Sequence, residues 1–173
     1  MLAEDEDNLS LLERAFDMNY NWKLLHLMND MAKGEKSVKN LWEHIHWNIQ
    51  TYSPKDYRMN FITNHDENSW NGTVAERMGE SEKAFAVLTY TIPGMPLIYS
   101  GQEAGNEKAL RFFEKDTINW SHIPYQDFYT TLNRLKEQNR ALWNGTSGGS
   151  MIDISAPGND NLFAILREKD KNK

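Results

Sequence analysis

Between Ala84 and Gln102 the chain carries no charged residue, and this run limits the possible folds more than any other feature. It is long enough to raise the question of a membrane span. Pro93, Gly94 and Pro96 interrupt it, however, and Thr and Tyr dilute it, whereas a spanning helix needs an unbroken apolar stretch whose backbone groups are satisfied internally. The run therefore divides into a helix over 81–92, a Pro-Gly turn and a strand over 96–100. A helix leading through a tight turn into a buried strand is a unit of α/β architecture.

The same alternation recurs upstream. Residues 1–3 look like the tail of a strand, and Ser10 with Glu13 predicts a capping box on a short helix. Strand character returns weakly over 14–19. Leu24, Leu25, Leu27, Met28 and Met31 then mark a helix that Gly34 stops, and Val38, Leu41, Trp42, Ile45 and Ile49 mark another behind a Ser37 cap. Residues 59–63 form a β-branched and aromatic strand. Phe128, Leu132, Leu135 and Leu142 mark a last helix. Beyond the Gly-rich stretch 146–149, residues 151–155 and 161–167 read as a hairpin around Pro157-Gly158. The expected fold is α/β: a parallel unit over 1–145, followed over 146–173 by the start of an all-β unit. There are no internal repeats.

Composition removes several function classes. A 39% hydrophobic, 25% charged chain is globular. Its net charge of -6 has no basic block to attract nucleic acid or anionic membranes, so neither is expected as a partner. The absence of cysteine rules out disulfides and thiolate metal sites and leaves the compartment open. The amino terminus lacks the basic start and apolar core of a signal peptide. Sequons at Asn8, Asn71, Asn119 and Asn144 matter only in a eukaryotic secretory pathway. No Gly-rich phosphate fingerprint follows any strand.

The polar residues gather where strands end. Glu4, His65, Asp66, Glu67, Gln102 and Glu103 each follow a strand pattern, so a parallel sheet or barrel brings them to one face. Paired carboxylates such as Glu4 and Asp66 suit glycoside hydrolysis, one donating a proton and the other ionised. The plainer readings are a turn or helix cap for Asp66 and a solvated acidic turn for residues 4–7. A metal held by His65, Asp66 and Glu67 is disfavoured because adjacent strand-end residues point to different sides. Of the six tryptophans, Trp42, Trp47 and Trp143 sit at helical spacing and are expected in the core. Trp70, in the polar loop after the candidate site, suits a sugar platform. His26, His44, His46 and His122 are expected to be structural.

With these residues assembled, the chain resembles the carboxyl-terminal part of the alpha-amylase family, glycoside hydrolase family 13. Residues 60–66, Asn-Phe-Ile-Thr-Asn-His-Asp, resemble the family's fourth conserved region, after its seventh barrel strand. Residues 94–103, Gly-Met-Pro-Leu-Ile-Tyr-Ser-Gly-Gln-Glu, resemble its eighth-strand segment. Residues 15–22 look like the sixth-strand segment, 111–120 like the loop beyond strand eight, and Met1-Leu-Ala-Glu4 like the end of strand five. The resemblance implies a partial (β/α)8 TIM barrel, about strands five to eight, with 146–173 as the truncated start of a β-sandwich.

It also implies retaining chemistry at alpha-glucosidic bonds in starch or maltooligosaccharides. Glu4 would protonate the leaving oxygen, Asp66 would hold and distort the sugar just before the cleaved bond, and His65 would hydrogen-bond that sugar, with Glu67 and Trp70 as further substrate contacts. The family's nucleophilic aspartate, its first four strands and its calcium sites lie in segments this sequence does not contain. The isolated chain is therefore expected to be inactive, to need no cofactor of its own, and to associate with a copy of itself or with a complementary half-barrel. Family members are often extracellular or periplasmic. The alternative is a non-catalytic relative acting as a binding or assembly module, which retention of Glu4, His65 and Asp66 together argues against.

Overall fold

In the computed structural model, which describes residues 1–156 and 161–173, four parallel strands lie side by side in chain order: β1 (Leu2–Ala3), β2 (Met18–Tyr20), β3 (Tyr57–Asn60) and β4 (Met95–Pro96). Crossovers made of helices connect them, as parallel pairing requires. Between β1 and β2 runs α1 (Ser10–Arg14). Between β2 and β3 run α2 (Trp22–Ala32) and α3 (Val38–Thr51). Between β3 and β4 run α4 (His65–Trp70), α5 (Val74–Met78) and α6 (Glu82–Thr91). After β4 comes α7 (Gln126–Gln138), then an antiparallel hairpin of β5 (Ser150–Asp153) and β6 (Ile165–Glu168). The hairpin turn expected around Pro157-Gly158 lies outside the described residues. Among those residues no helix is long and apolar enough to cross a membrane.

One core runs through these elements. Leu24, Leu25 and Met28 of α2, Leu41 and Ile45 of α3, Phe85 and Leu88 of α6 and Leu132 of α7 pack with Tyr20, Phe61 and Ile62. Met151, Phe163 and Ile165 of the hairpin region pack against the same cluster. Apolar burial at about 25 cal/mol per Å² holds the layers together.

The opposite row of the sheet is polar. Arg58 is buried and donates through Nε to Asn48 at 2.9 Å and through Nη2 to Asn21 at 2.9 Å; its guanidinium also bonds Asn19 and Glu6 and lies 4.0 Å from the Tyr52 ring centre. Glu6 accepts a second bond, at 3.0 Å, from the backbone N–H of Lys23 in the first turn of α2. A carboxylate at a helix amino terminus is favoured by the helix dipole. One acidic side chain thus anchors the loop after β1 to β3 and caps α2.

Several elements depart from the sequence pattern. β3 ends at Asn60 rather than residue 63, because its partner β4 is only two residues long and Leu97 N–H makes the last bond to the Asn60 carbonyl at 2.9 Å. β4 stops at Pro96 rather than 100, where the chain turns and the Tyr99 N–H goes to the Gln102 side chain at 2.6 Å. Ser10 forms no capping box. It is the first helical residue, its hydroxyl donates to Asn8 Oδ1 at 2.7 Å, and Leu9 in the cap position has helical dihedrals. α7 ends at Gln138, leaving Leu142 buried in a separate 3-10 turn. Trp143 is 38% exposed rather than in the core, with its indole N–H on the Glu137 carbonyl at 3.1 Å. Trp42 is partly buried, 4.6 Å from the Phe163 ring.

The turn before β4 demands glycine. Gly94 has φ +131°, and a Cβ there would stand 2.5 Å from Asn60 Nδ2 and 2.6 Å from the Arg58 carbonyl oxygen. Its absence lets β4 lie against β3.

Candidate active site

At the carboxyl end of β3 the chain leaves the sheet through Phe61 and Ile62, both fully buried, and then starts a helix at once. Asn64 is its cap: the side-chain oxygen accepts the Glu67 N–H at 2.9 Å. His65, Asp66 and Glu67 therefore occupy the first turn of α4 instead of a strand-end loop, and each leaves the helix in a different direction.

Asp66 and His65 remain accessible. His65 Nε2 lies 3.7 Å from Asp66 Oδ2, and the imidazole stacks on Phe112 at 5.7 Å and 25°. Glu4, one residue past β1, is exposed, and its carbonyl accepts the Trp22 indole N–H at 3.2 Å. Trp22 in turn meets Tyr20 and Phe61 at 5.3 and 5.1 Å. Burial raises the Tyr20 hydroxyl above its ordinary pKa; a hydrogen bond with Asn64 opposes this, while the charges of Glu4 and Asp66 both add to it. Tyr99 is raised for a like reason, burial first and Asp66 second. Both carboxylates thus act on Tyr20 through their charges. The structure brings Glu4, His65 and Asp66 to one end of the sheet, with Tyr20 and Tyr99 among them.

Glu67 does not join them. Its carboxylate is buried 3.8 Å from Arg77 Nη1 and accepts the Asn71 amide at 2.9 Å. Arg77 also donates to the Ile62 carbonyl at 2.8 Å and to Asn29 at 2.9 Å, so this pair fastens α4 and α5 to α2 and to the end of β3. Gln102 is likewise occupied, by the Tyr99 N–H and, at 2.8 Å, by the Tyr129 hydroxyl. Glu103 has one carboxylate oxygen buried with no partner among the described residues.

Trp70, at the end of α4, is 60% exposed and meets Phe112 at 5.2 Å and Phe113 at 6.1 Å. Sequence reasoning passed over Tyr20, Phe112 and Phe113. Tyr20 reads as an ordinary strand residue, but the adjacent Phe112 and Phe113 inside a charged, aperiodic loop were a signal, because such loops seldom spend aromatics on solvent.

Parallel strands joined by helices, with carboxylates and an imidazole gathered beyond the strand carboxyl ends, define an α/β-barrel type of site. The model of the alpha-amylase catalytic domain matches residues 10–147, and the chain belongs to the alpha-amylase family of glycoside hydrolases. Among curated relatives it is 25% identical over 145 residues to Alpha-amylase 2 of Dictyoglomus thermophilum, covering 76% of this chain and 25% of that protein. It is 32% identical over 99 residues to the 1,4-alpha-glucan branching enzyme GlgB of Cutibacterium acnes, covering 52% of this chain and 15% of that one.

Among solved structures, a cyclomaltodextrinase superposes with a TM-score of 0.78 at 20% identity, covering 98% of this chain and 30% of that one. The maltogenic alpha-amylase AmyB of Thermotoga neapolitana gives 0.75 at 21%, covering 95% and 38%. These likenesses show the fold, part of an α/β barrel. The chain spans about a quarter of the length of the first of these curated relatives.

Proposed function

We propose that this chain carries part of a retaining alpha-glucan-active site, corresponding to about strands five to eight of the family barrel. Glu4 serves as proton donor to the leaving oxygen, and Asp66 with His65 grips the sugar preceding the cleaved bond. Trp70 offers an aromatic face to the glucan. The observation that supports this most is that Glu4 and Asp66, far apart in sequence, follow the carboxyl ends of β1 and β3, the two parallel neighbours of β2. A retaining mechanism needs a second carboxylate as nucleophile. By family resemblance that aspartate belongs to a fourth-strand segment absent from this sequence, so the chain alone does not turn over substrate. Residues 146–173 serve as the start of a β-sandwich. Glu67 stands as a structural rather than a substrate group in this reading.

The test has two arms. Starch and maltooligosaccharides incubated with the isolated chain should show no new reducing ends. Titration with maltose and maltoheptaose should show binding that weakens about tenfold or more in Asp66→Ala and His65→Ala, the loss expected for charge-assisted hydrogen bonds. Turnover by the wild-type chain would remove the first claim, and binding indifferent to both substitutions the second.

A further inference from the structure

At the opposite end of the sheet from His65 and Asp66, where the β5–β6 hairpin meets the starts of β3 and β4, lies a cavity of about 370 Å³. Ile49 and Tyr52 border it from the end of α3, Pro93 from the turn before β4, Trp143 from the segment after α7, and Met151 and Arg167 from the hairpin. The walls are mainly apolar. Ile49 is 54% exposed and Trp143 38%, so both leave apolar surface in water that an occupant of the cavity would cover.

The charges around this cavity do not balance. Arg58 borders it, but Glu6 pairs with that guanidinium, and Asn19, Asn21 and Asn48 accept its N–H groups. Asp56 is engaged by its own turn, where it accepts the Ser53 N–H at 2.9 Å. Arg167 is different: it is 6% exposed and has no acidic partner among the described residues. A guanidinium carries five N–H donors. Arg167 gives two of them to the carbonyls of Thr91 and Gly149, both at 2.9 Å, and its Nε is buried without a partner among the described residues.

Lys136 adds to the imbalance. Its ammonium donates to the carbonyls of Gly94 at 3.2 Å and Leu142 at 2.5 Å, and burial, with the Arg167 charge second, lowers its pKa to about 8. Two cations thus act on each other at one seam, and neither meets a carboxylate among the described residues. A buried charge without a counter-charge is costly, and an anion beside it gains more than it would in water because the surroundings are poorly polarisable.

The chemistry of the occupant follows from the lining. The planar fork of arginine matches a carboxylate, and one uncompensated charge on the wall calls for a monoanion rather than a phosphate dianion. Tyr52 and Trp143, with Pro93 and Met151, suit a flat apolar body.

We propose that this cavity binds a small aromatic carboxylate, with the carboxylate on Arg167 and the ring among Tyr52, Trp143 and Met151. The site is separate from the glucan site and does not depend on that reading.

Benzoate titrated into the full chain and followed by backbone amide shifts tests it, with benzamide as the neutral isostere. In wild type, benzoate should move the amides of Gly94, Gly149 and Arg167 and bind at least about tenfold more tightly than benzamide, the margin of a charge-assisted hydrogen bond. Arg167→Met should erase that margin and leave benzamide affinity unchanged, whereas Arg167→Lys, which keeps the charge, should retain benzoate preference. Melting temperatures check that both variants fold; if the methionine variant does not, the wild-type comparison still decides. Equal affinity for benzoate and benzamide, shifts that avoid Gly94 and Gly149, or a preference that survives in Arg167→Met would overturn the proposal. Inorganic phosphate bound as tightly as benzoate would reduce the site to a simple anion seat and remove the aromatic assignment. A self-association that benzoate disperses would make the occupant a carboxylate of a second copy, and the proposal would fall.

Discussion

Glu67 and Arg77 form a buried ion pair, 3.8 Å apart, one residue along the helix from the accessible Asp66. Burial lowers the Arg77 pKa and the Glu67 charge opposes that shift. Removing one member leaves the other charge uncompensated, which costs about 3 kcal/mol or more. Glu67→Ala should lower the urea midpoint accordingly, while affinity for maltose in the surviving folded protein stays within about twofold. A large loss of sugar affinity at unchanged stability would return Glu67 to the substrate.

His44 predicts an acid weakness. Burial, with Arg58 and Lys23 nearby, lowers its pKa from 6.5 to about 4, and Nε2 is buried without a partner among the described residues. The unfolded chain binds this proton first, so stability falls as pH drops from about 6.5 towards 4 and is unaffected by this group above 7. The loss is of order 2–3 kcal/mol. Urea unfolding at pH 7 and pH 5 should show a smaller difference in His44→Phe than in wild type.

At Gly94, alanine would meet the Asn60 amide and the Arg58 carbonyl at distances no Cβ tolerates, in a left-handed region of backbone space. Gly94→Ala should cost about 2–4 kcal/mol by pushing β4 from β3. Thermal melts give the number, and an unchanged melting temperature would show that the turn relaxes freely.

Arg167 of β6 is 6% exposed, faces no acidic partner among the described residues, and donates to the carbonyls of Thr91 and Gly149, both at 2.9 Å. Burial pushes its pKa down to about 10. A lone buried charge is costly, yet it supplies the bonds that tie the hairpin to the last turn of α6. Arg167→Ala should therefore speed amide exchange in β5 and β6 by tenfold or more. Arg167→Met, which fills the space without the charge, should cost less in global stability than the alanine.

The sheet has two unpaired edges, β1 and β4, among the described strands. Parallel sheets are normally enclosed, and open edges recruit partners. Sedimentation velocity over a hundredfold concentration range should show the isolated chain associating; one invariant monomer boundary would contradict this.

The alternation of strands with the longer helices was legible because apolar spacing at 2 and 3.6 residues survives in a single sequence, as in Leu24, Leu25 and Met28 of α2, whereas the short α4 and α5 carry too few turns to show it. Where β3 stops was not. Phe61 and Ile62 are buried on all sides and read as strand, yet strand status depends on a partner, and β4 supplies only two residues. His65 and Asp66 were legible as polar residues directly after an apolar run. Glu67 looked equivalent to them, and only the position of Arg77 on a neighbouring helix separates a substrate contact from a structural pair. The contacts of Phe112 and Phe113 with Trp70 depend on a loop held by Asn68, which accepts the Leu110 N–H at 2.8 Å, and by Asp116, which accepts the Arg111 N–H at 3.1 Å, contacts that leave no periodic trace.

The sheet's short strands also bear on how the chain reaches this structure. Every pair among β1 to β4 is parallel, so Met18 must find Tyr57 and Met59 must find Met95 across whole helical crossovers. Such distant pairings pay their loop-closure entropy before any ladder bond repays it. Helices should form early and the sheet late and slowly, leaving Tyr20 and Phe61 unpaired in the interim. The carboxyl-end face of the sheet, built from strand termini, would be the last region to acquire its geometry.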